Sequence, residues 1–260
     1  MKERGQVTIF IILGIIIVII IGLVYFLRIR GEEENAIDES DERFVSSQIE
    51  PIKTLVSECV KAESLKGLRL IGKQGGYYKP IKYEVVGDYN IAYGCYIRNG
   101  ERINNLPLLE DVSKEFDDYM ASDATKEGID KCINNFKFFE DKGLDINAGS
   151  ILIKSNIQFN KVGTTIQYPI TISKGPYSSN VDQMSIDTSI GLGKLHKVAS
   201  DIINDECTGI NFDIDNYIKN NEPLSTIGMQ YYNGKTFVYL SSITEGGEEP
   251  LDFHFVLENA

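Results

Sequence analysis

From Val7 to Leu27 the chain runs through twenty-one residues without a charge, Thr8 being the only clearly polar side chain among them. At about 1.5 Å of rise per residue such a helix spans roughly 30 Å, the thickness of a bilayer's hydrocarbon core, whereas the apolar region of a secretory signal is only about 7–15 residues long. The pattern therefore predicts a transmembrane helix over 7–27, preceded by a short segment at 1–6. After it comes a stalk over 28–43, where GEEENAIDESDERF is too charged to bury a face.

Beyond Phe44 the spacing changes to that of a folded domain. Ile52, Leu55, Val56, Cys59, Val60, Leu68 and Ile71 recur mainly at three- and four-residue steps, which predicts an amphipathic helix with Pro51 in its first turn. Gly72 and the run Gln74-Gly75-Gly76 then supply a C-cap, because glycine adopts the left-handed conformation without a Cβ clash. Residues 81–86 and 89–96 flank Gly87-Asp88 and predict a β-hairpin rich in tyrosine. The run RNGERINN at 98–105 is a polar break. Pro107 opens a second helix to about Asn134, with Leu109, Val112, Phe116, Tyr119 and Met120 on its apolar face. Ser122-Asp123 and Gly128 weaken its middle enough to divide it into two.

The remainder alternates as sheet. Strands are expected over 150–160 and 164–173, with Pro169 placing the second at an edge, and over 181–190 after a turn at 174–180. Leu192, Leu195, Ala199, Ile202 and Ile203 trace a third helix, capped near Thr188 or Ser189 and ending before Cys207. Runs at 224–232 and 235–241 flank Asn233-Gly234, a strong type I′ hairpin signal. A last strand at 251–257 puts Phe253, Phe255 and Leu257 on one face. This order predicts an α+β fold: mainly antiparallel sheet with three main amphipathic helices, loosely divided near residue 148 into 44–148 and 149–260, with the cores shared if Cys95 and Cys207 pair.

Charge narrows the setting. Of 38 acids and 26 bases, only Glu3 and the bases Lys2, Arg4, Arg28 and Arg30 lie in the first 30 residues, so the rest carries 37 acids against 22 bases, a net of −15. Such a field repels phosphate backbones and excludes nucleic acid as an expected partner. Basic residues flank both ends of the apolar stretch and do not orient it, but the acidic run after Arg30 and the small size of segment 1–6 place the domain outside the cytoplasm. The bilayer is then the first partner, with protein partners expected at the cell surface.

Cys59, Cys95, Cys132 and Cys207 are separated by 36, 37 and 75 positions and form no CxxC pair. In an extracytoplasmic domain this even count predicts two disulfides, of three possible pairings. No catalytic residue is assigned: GxSxG, HExxH, Walker and dinucleotide patterns are absent, and His196 and His254 are too few for a histidine metal site. No cofactor is implied. A weak calcium pattern, Asn211, Asp213, Asp215 and Glu222, occupies positions 1, 3, 5 and 12 of an EF-hand-like loop, but Asn216 stands where that loop needs glycine. Tyr77, Tyr78, Tyr83, Tyr89, Tyr93 and Tyr96 are candidates for a sugar- or peptide-binding surface, Tyr77, Tyr78, Tyr83 and Tyr93 foremost, since aromatic rings combine a flat apolar face with a polar edge.

Two resemblances add to this. MKERG followed by Gln6 resembles the class III signal of archaeal pilins and related surface proteins, which implies cleavage between Gly5 and Gln6. Phe10 stands where many of those proteins carry Glu, which counts against packing in a pilus core but not against anchoring. Further on, the helix ending GLRLIGKQGGYY, the tyrosine-rich segment, the Pro-led helix ending KCI and the run IQYPITIS resemble uncharacterised single-pass surface proteins of archaea with very small genomes. That resemblance covers most of residues 1–205 and implies pairing of Cys59 with Cys132, leaving Cys95 with Cys207. The expected role is a non-enzymatic, anchored surface protein in cell-surface structure, adhesion or assembly. The alternatives are an anchored ligand- or peptide-binding sensor and a type IV pilin-like filament subunit.

Overall fold

The computed structural model describes residues 40–220, 225–242 and 251–259. The apolar stretch 7–27, the expected cleavage site at Gly5 and Gln6, most of the stalk and Glu222 lie outside these residues. The last four stalk residues are already helical, for α1 is described over 40–47 and turns at Gln48 into α2, Ile49–Lys73. Pro51 is the third residue of α2, still in the turn where backbone N–H groups have no helical acceptor. The helix ends as its glycines predict: Gly75 and Gly76 have φ of 74° and 95°, and the Gly76 N–H donates to the Ile71 carbonyl at 2.9 Å.

Ten strands follow in two sheets among the described residues. The first holds β1 (Tyr83–Val86), β2 (Tyr89–Arg98), β3 (Glu101–Asn104), β8 (Ser225–Tyr232), β9 (Lys235–Ser242) and β10 (Asp252–Glu258). Its order is β1-β2-β10-β9-β8, with β3 also on β2. The second comprises β4 (Asp145–Ala148), β5 (Leu152–Ile157), β6 (Lys161–Lys174) and β7 (Tyr177–Ser189), β6 lying between β7 and the pair β4 and β5. Helices α3 (Leu109–Met120), α4 (Asp123–Ile133), α5 (Lys137–Glu140), α6 (Leu192–Thr208) and α7 (Ile214–Asn220) complete the chain. Helix α2 packs against β7 of one sheet and β10 of the other, α3 covers β5, and α6 lies on β2, β3, β9 and β10. The fold is α+β.

Several expectations change. The first sheet is mixed, because β10 pairs parallel to β2. Strands from both sides of residue 148 share the first sheet, β8, β9 and β10 joining β1, β2 and β3, and one core runs from Val45 to Leu257. The polar break at 98–105 contains β3, turned by Asn99 and Gly100, both at positive φ, so that Arg98 pairs with Glu101. Strand β4 was not expected either. Pro169 is not at an edge, since β6 is the central strand of its sheet. It sits where the β6–β7 register shifts between Gln167 and Ile170, so its missing N–H breaks no regular pair. The second helix does divide at its weak middle, where Ser122 caps α4 by accepting from the Thr125 N–H. The third helix runs through Cys207 to Thr208, and Gly191, with no side-chain cap, precedes it.

Two irregularities set the core. The register of β2 on β10 steps from Tyr93 opposite Val256 to Cys95 opposite Leu257, making Gly94 an extra residue. A Cβ on Gly94 would lie 2.5 Å from Ile203 Cδ1 of α6, so Gly94 faces the helices, and the bulge lets Cys95 face them as well. Cys95 there bonds Cys207 of α6, while Cys59 of α2 bonds Cys132 of α4. This is the pairing that the resemblance implies. The second irregularity is a left-handed turn, Asn134, Asn135 and Phe136 at φ of 52°, 50° and 55°. It buries Phe136 and Phe139 and leaves Phe138 63 % exposed.

Peptide mapping without reductant should recover Cys59 joined to Cys132 and Cys95 joined to Cys207, and a Cys59–Cys95 peptide would contradict the fold. The approach of α2 to β10 is also testable, since a Cβ on Gly72 would stand 2.2 Å from the Asp252 carbonyl oxygen. Gly72→Ala should cost about 1–3 kcal/mol by forcing backbone apart, despite alanine's better helix propensity, and thermal unfolding would measure it. A stabilised variant would show that the contact is loose.

Candidate functional site

Residues from opposite ends of the sequence meet on the face of the first sheet turned away from α2 and α6. Alternation along β2 and β10 turns Ile91, Tyr93 and Val256 to this side, where they form a second apolar cluster with Tyr89, Tyr96 and Phe237. All six are strand residues, so no helix contributes to it. Charged side chains surround the cluster. The Lys235 ammonium and the Tyr93 hydroxyl both donate to the Glu84 carboxylate. Lys82 donates to Glu258 at 3.0 Å and lies 3.9 Å from the centre of the Tyr96 ring, a cation–π contact. The other Glu258 interaction is with the Ile97 N–H, also at 3.0 Å. Further along, Tyr239 meets His254 edge-on at 4.9 Å, and Lys73 lies 4.9 Å from the Tyr89 ring centre.

The electrostatics follow from these contacts. Lys235 and then Tyr93 hold the Glu84 carboxyl below the usual carboxylate range, while Glu84 pushes Lys235 up to about 12. The Ile97 amide, assisted by Lys82, lowers Glu258 in the same way. Burial and the bond to Glu84 raise Tyr93. A phenol held protonated and carboxylates held ionised keep these groups in fixed states near neutral pH. The arrangement braces the strands and provides no group poised to exchange a proton there.

The sequence-derived candidates fall in different places. Tyr77 donates its hydroxyl to the Asn105 carbonyl at 2.8 Å, and Tyr78 packs edge-on against Tyr119 of α3. Tyr83 pairs with Ala92 on one face of the sheet while Tyr93 occupies the other. Of the six tyrosines, Tyr89, Tyr93 and Tyr96 converge in the second apolar cluster. Lys82, Glu84, Lys235 and Glu258 were missed because the bonds joining them bridge 151 to 176 positions of sequence.

The calcium pattern is a capped helix. Asp213 accepts the Asn216 N–H at 2.9 Å and α7 starts at Ile214, so the middle of the expected loop is helical, with Asp215 in its first turn. Among the described residues no group of three or more His, Cys, Asp or Glu is placed to hold a metal ion. His196 is half-buried and bonded through Nε2 to the Pro107 carbonyl at 2.7 Å, a packing role.

Compared with protein-family models, with curated proteins and with solved structures, the chain gives no match.

Burial holds both His196 and His254 below their ordinary value near 6.5, against the opposing pull of the Pro107 carbonyl on one and of Asp252 on the other. The unfolded chain thus takes up these protons first. The stability they contribute is complete above about pH 6.5 and lost as pH falls through and below that value, a window above that of the lowered carboxylates. Denaturant unfolding should therefore show lower stability at pH 5 than at pH 7. His196→Phe should cost about 1–3 kcal/mol at pH 7, by leaving the Pro107 carbonyl unpaired, and lose less on acidification than the wild type. Equal losses in both proteins would count against this assignment.

Proposed function

We propose that the chain is a membrane-anchored, extracytoplasmic surface protein with a structural, adhesive or assembly role, and that it catalyses no reaction. The observation that carries this reading is the pair of disulfides closing separations of 73 and 112 residues within one core. Such bonds persist in oxidising surroundings and stabilise by about 2–5 kcal/mol each, while cytosolic reductants would open them. The apolar run 7–27 supplies the anchor in this reading, and all four cysteines are consumed in bonds, leaving no thiol for catalysis. Among the described residues no helix is long and apolar enough to cross a membrane, so anchoring rests on 7–27 alone.

The sensor alternative rests on the tyrosines that meet on the outer face of the first sheet, Tyr89, Tyr93 and Tyr96. The pilin-like alternative rests on Gly5 and Gln6, with Phe10 against it.

With no native free thiol, an introduced cysteine reports orientation cleanly. Asp88 is exposed in the turn between β1 and β2. Asp88→Cys should react with a membrane-impermeant maleimide on intact cells, whereas Glu3→Cys should react only after lysis. Labelling of Asp88→Cys only after lysis would refute the proposed orientation.

A further inference from the structure

An open groove of about 620 Å³ lies between the first turns of α2 and the turn that follows α4, lined by Glu50, Pro51, Thr54, Leu55, Phe138 and Phe139. We propose that this groove rests on the bilayer, its ligand being the boundary between headgroup and acyl chain of zwitterionic lipid. The inference depends on the anchoring role proposed for 7–27.

The course of the chain selects this occupant. Twelve residues, 28–39, separate the apolar run from residue 40. Fully extended they reach about 40 Å, and any compaction shortens the tether. Residue 40 begins the described part of α1, and at 1.5 Å per residue only about 15 Å of helix separates it from Glu50. The groove is therefore built on the end of the domain that the tether reaches first. The far end of α2, a helix of 25 residues and about 37 Å, adjoins the β1–β2 hairpin, where the Gln74 side chain accepts the Asn90 N–H.

Chemistry agrees with position. Phe138 is 63 % exposed although its neighbours Phe136 and Phe139 are buried, and the left-handed turn before it fixes that difference. Lys142 places its ammonium 3.9 Å from the Phe138 ring centre. An aromatic ring beside a lysine suits the interfacial layer, where the ring enters the apolar boundary and the ammonium stays among headgroups. The rim carries both signs of charge, Glu50 being paired with Lys53 at 2.8 Å. With a net of −15 beyond residue 30, the domain is repelled by anionic lipid, so contact depends on apolar insertion and zwitterionic lipid is the matching surface.

The chain contains no tryptophan, so one introduced indole reports its own site. Full-length Phe138→Trp and Asp88→Trp would be reconstituted into phosphatidylcholine vesicles, some containing phosphatidylcholine brominated high on its acyl chains. Flotation with the vesicles reports anchoring, and quenching by bromine reports the groove. The expected result is that both variants float, that Phe138→Trp emits to the blue and is quenched by the brominated lipid, and that Asp88→Trp is quenched only by aqueous acrylamide. Flotation with Phe138→Trp open to acrylamide and untouched by bromine would overturn the groove inference while leaving the anchor intact. Blue emission without bromine quenching would also overturn it, because protein would then cover the groove. Failure to float would remove the anchoring reading, and the groove inference with it.

Discussion

Strand β10 is the constraint on which the rest of the fold depends. It inserts between β2 and β9, parallel to one and antiparallel to the other, and so turns the N-terminal strands and the β8–β9 hairpin into one sheet. Two-stranded hairpins are marginal in water, and the β8–β9 hairpin has no described sheet neighbour other than β10 to complete it. The same seven residues also fill the core, for Phe253, Phe255 and Leu257 are buried with the residues of α2 and α6. On the opposite face Val256 anchors the second apolar cluster, and Glu258 ties the strand end to Ile97 and Lys82. Hydrogen bonding, burial and charge pairing thus converge on one segment.

Close approach between elements explains the glycines at the contact. Glycine inside a helix costs about 1 kcal/mol relative to alanine, yet Gly72 lies where α2 meets the backbone of β10. Gly94 likewise sits beneath Ile203, and its bulge moves Cys95 from the tyrosine face to the helix face. Without that extra residue, alternation would place Cys95 beside Tyr93 and Cys207 would have no partner within reach.

Local patterns were legible in the sequence and distant ones were not. Three- and four-residue spacing located α2 and α6, the weak middle at Ser122 divided α3 from α4, and Asn233-Gly234 marked its hairpin. Asn99-Gly100 carries the same turn chemistry, but in β3 Ile103 is the single apolar residue and none is fully buried, so no apolar alternation revealed the strand. The parallel placement of β10 and the central position of β6 are choices of neighbour, which periodicity does not encode. For the same reason the tyrosines suggested a surface without its charged partners: Lys235 and Glu258 approach Glu84 and Lys82 only once β9 and β10 have joined the sheet. The disulfide pairing came from resemblance, since spacing alone left three choices open.

The location of β10 so late in the chain also governs the order of events in biosynthesis. Pairing of β2 with β10 joins residues about 160 positions apart, and contacts of such separation form late because loop closure is entropically costly. Until residues 252–258 have left the ribosome, the first sheet lacks its middle strand and the α6 face lacks Phe253 and Phe255. The partly made domain therefore stays open while it is being synthesised. An open chain offers its unpaired strand edges to whatever meets it during synthesis, and lasting closure waits for that last strand.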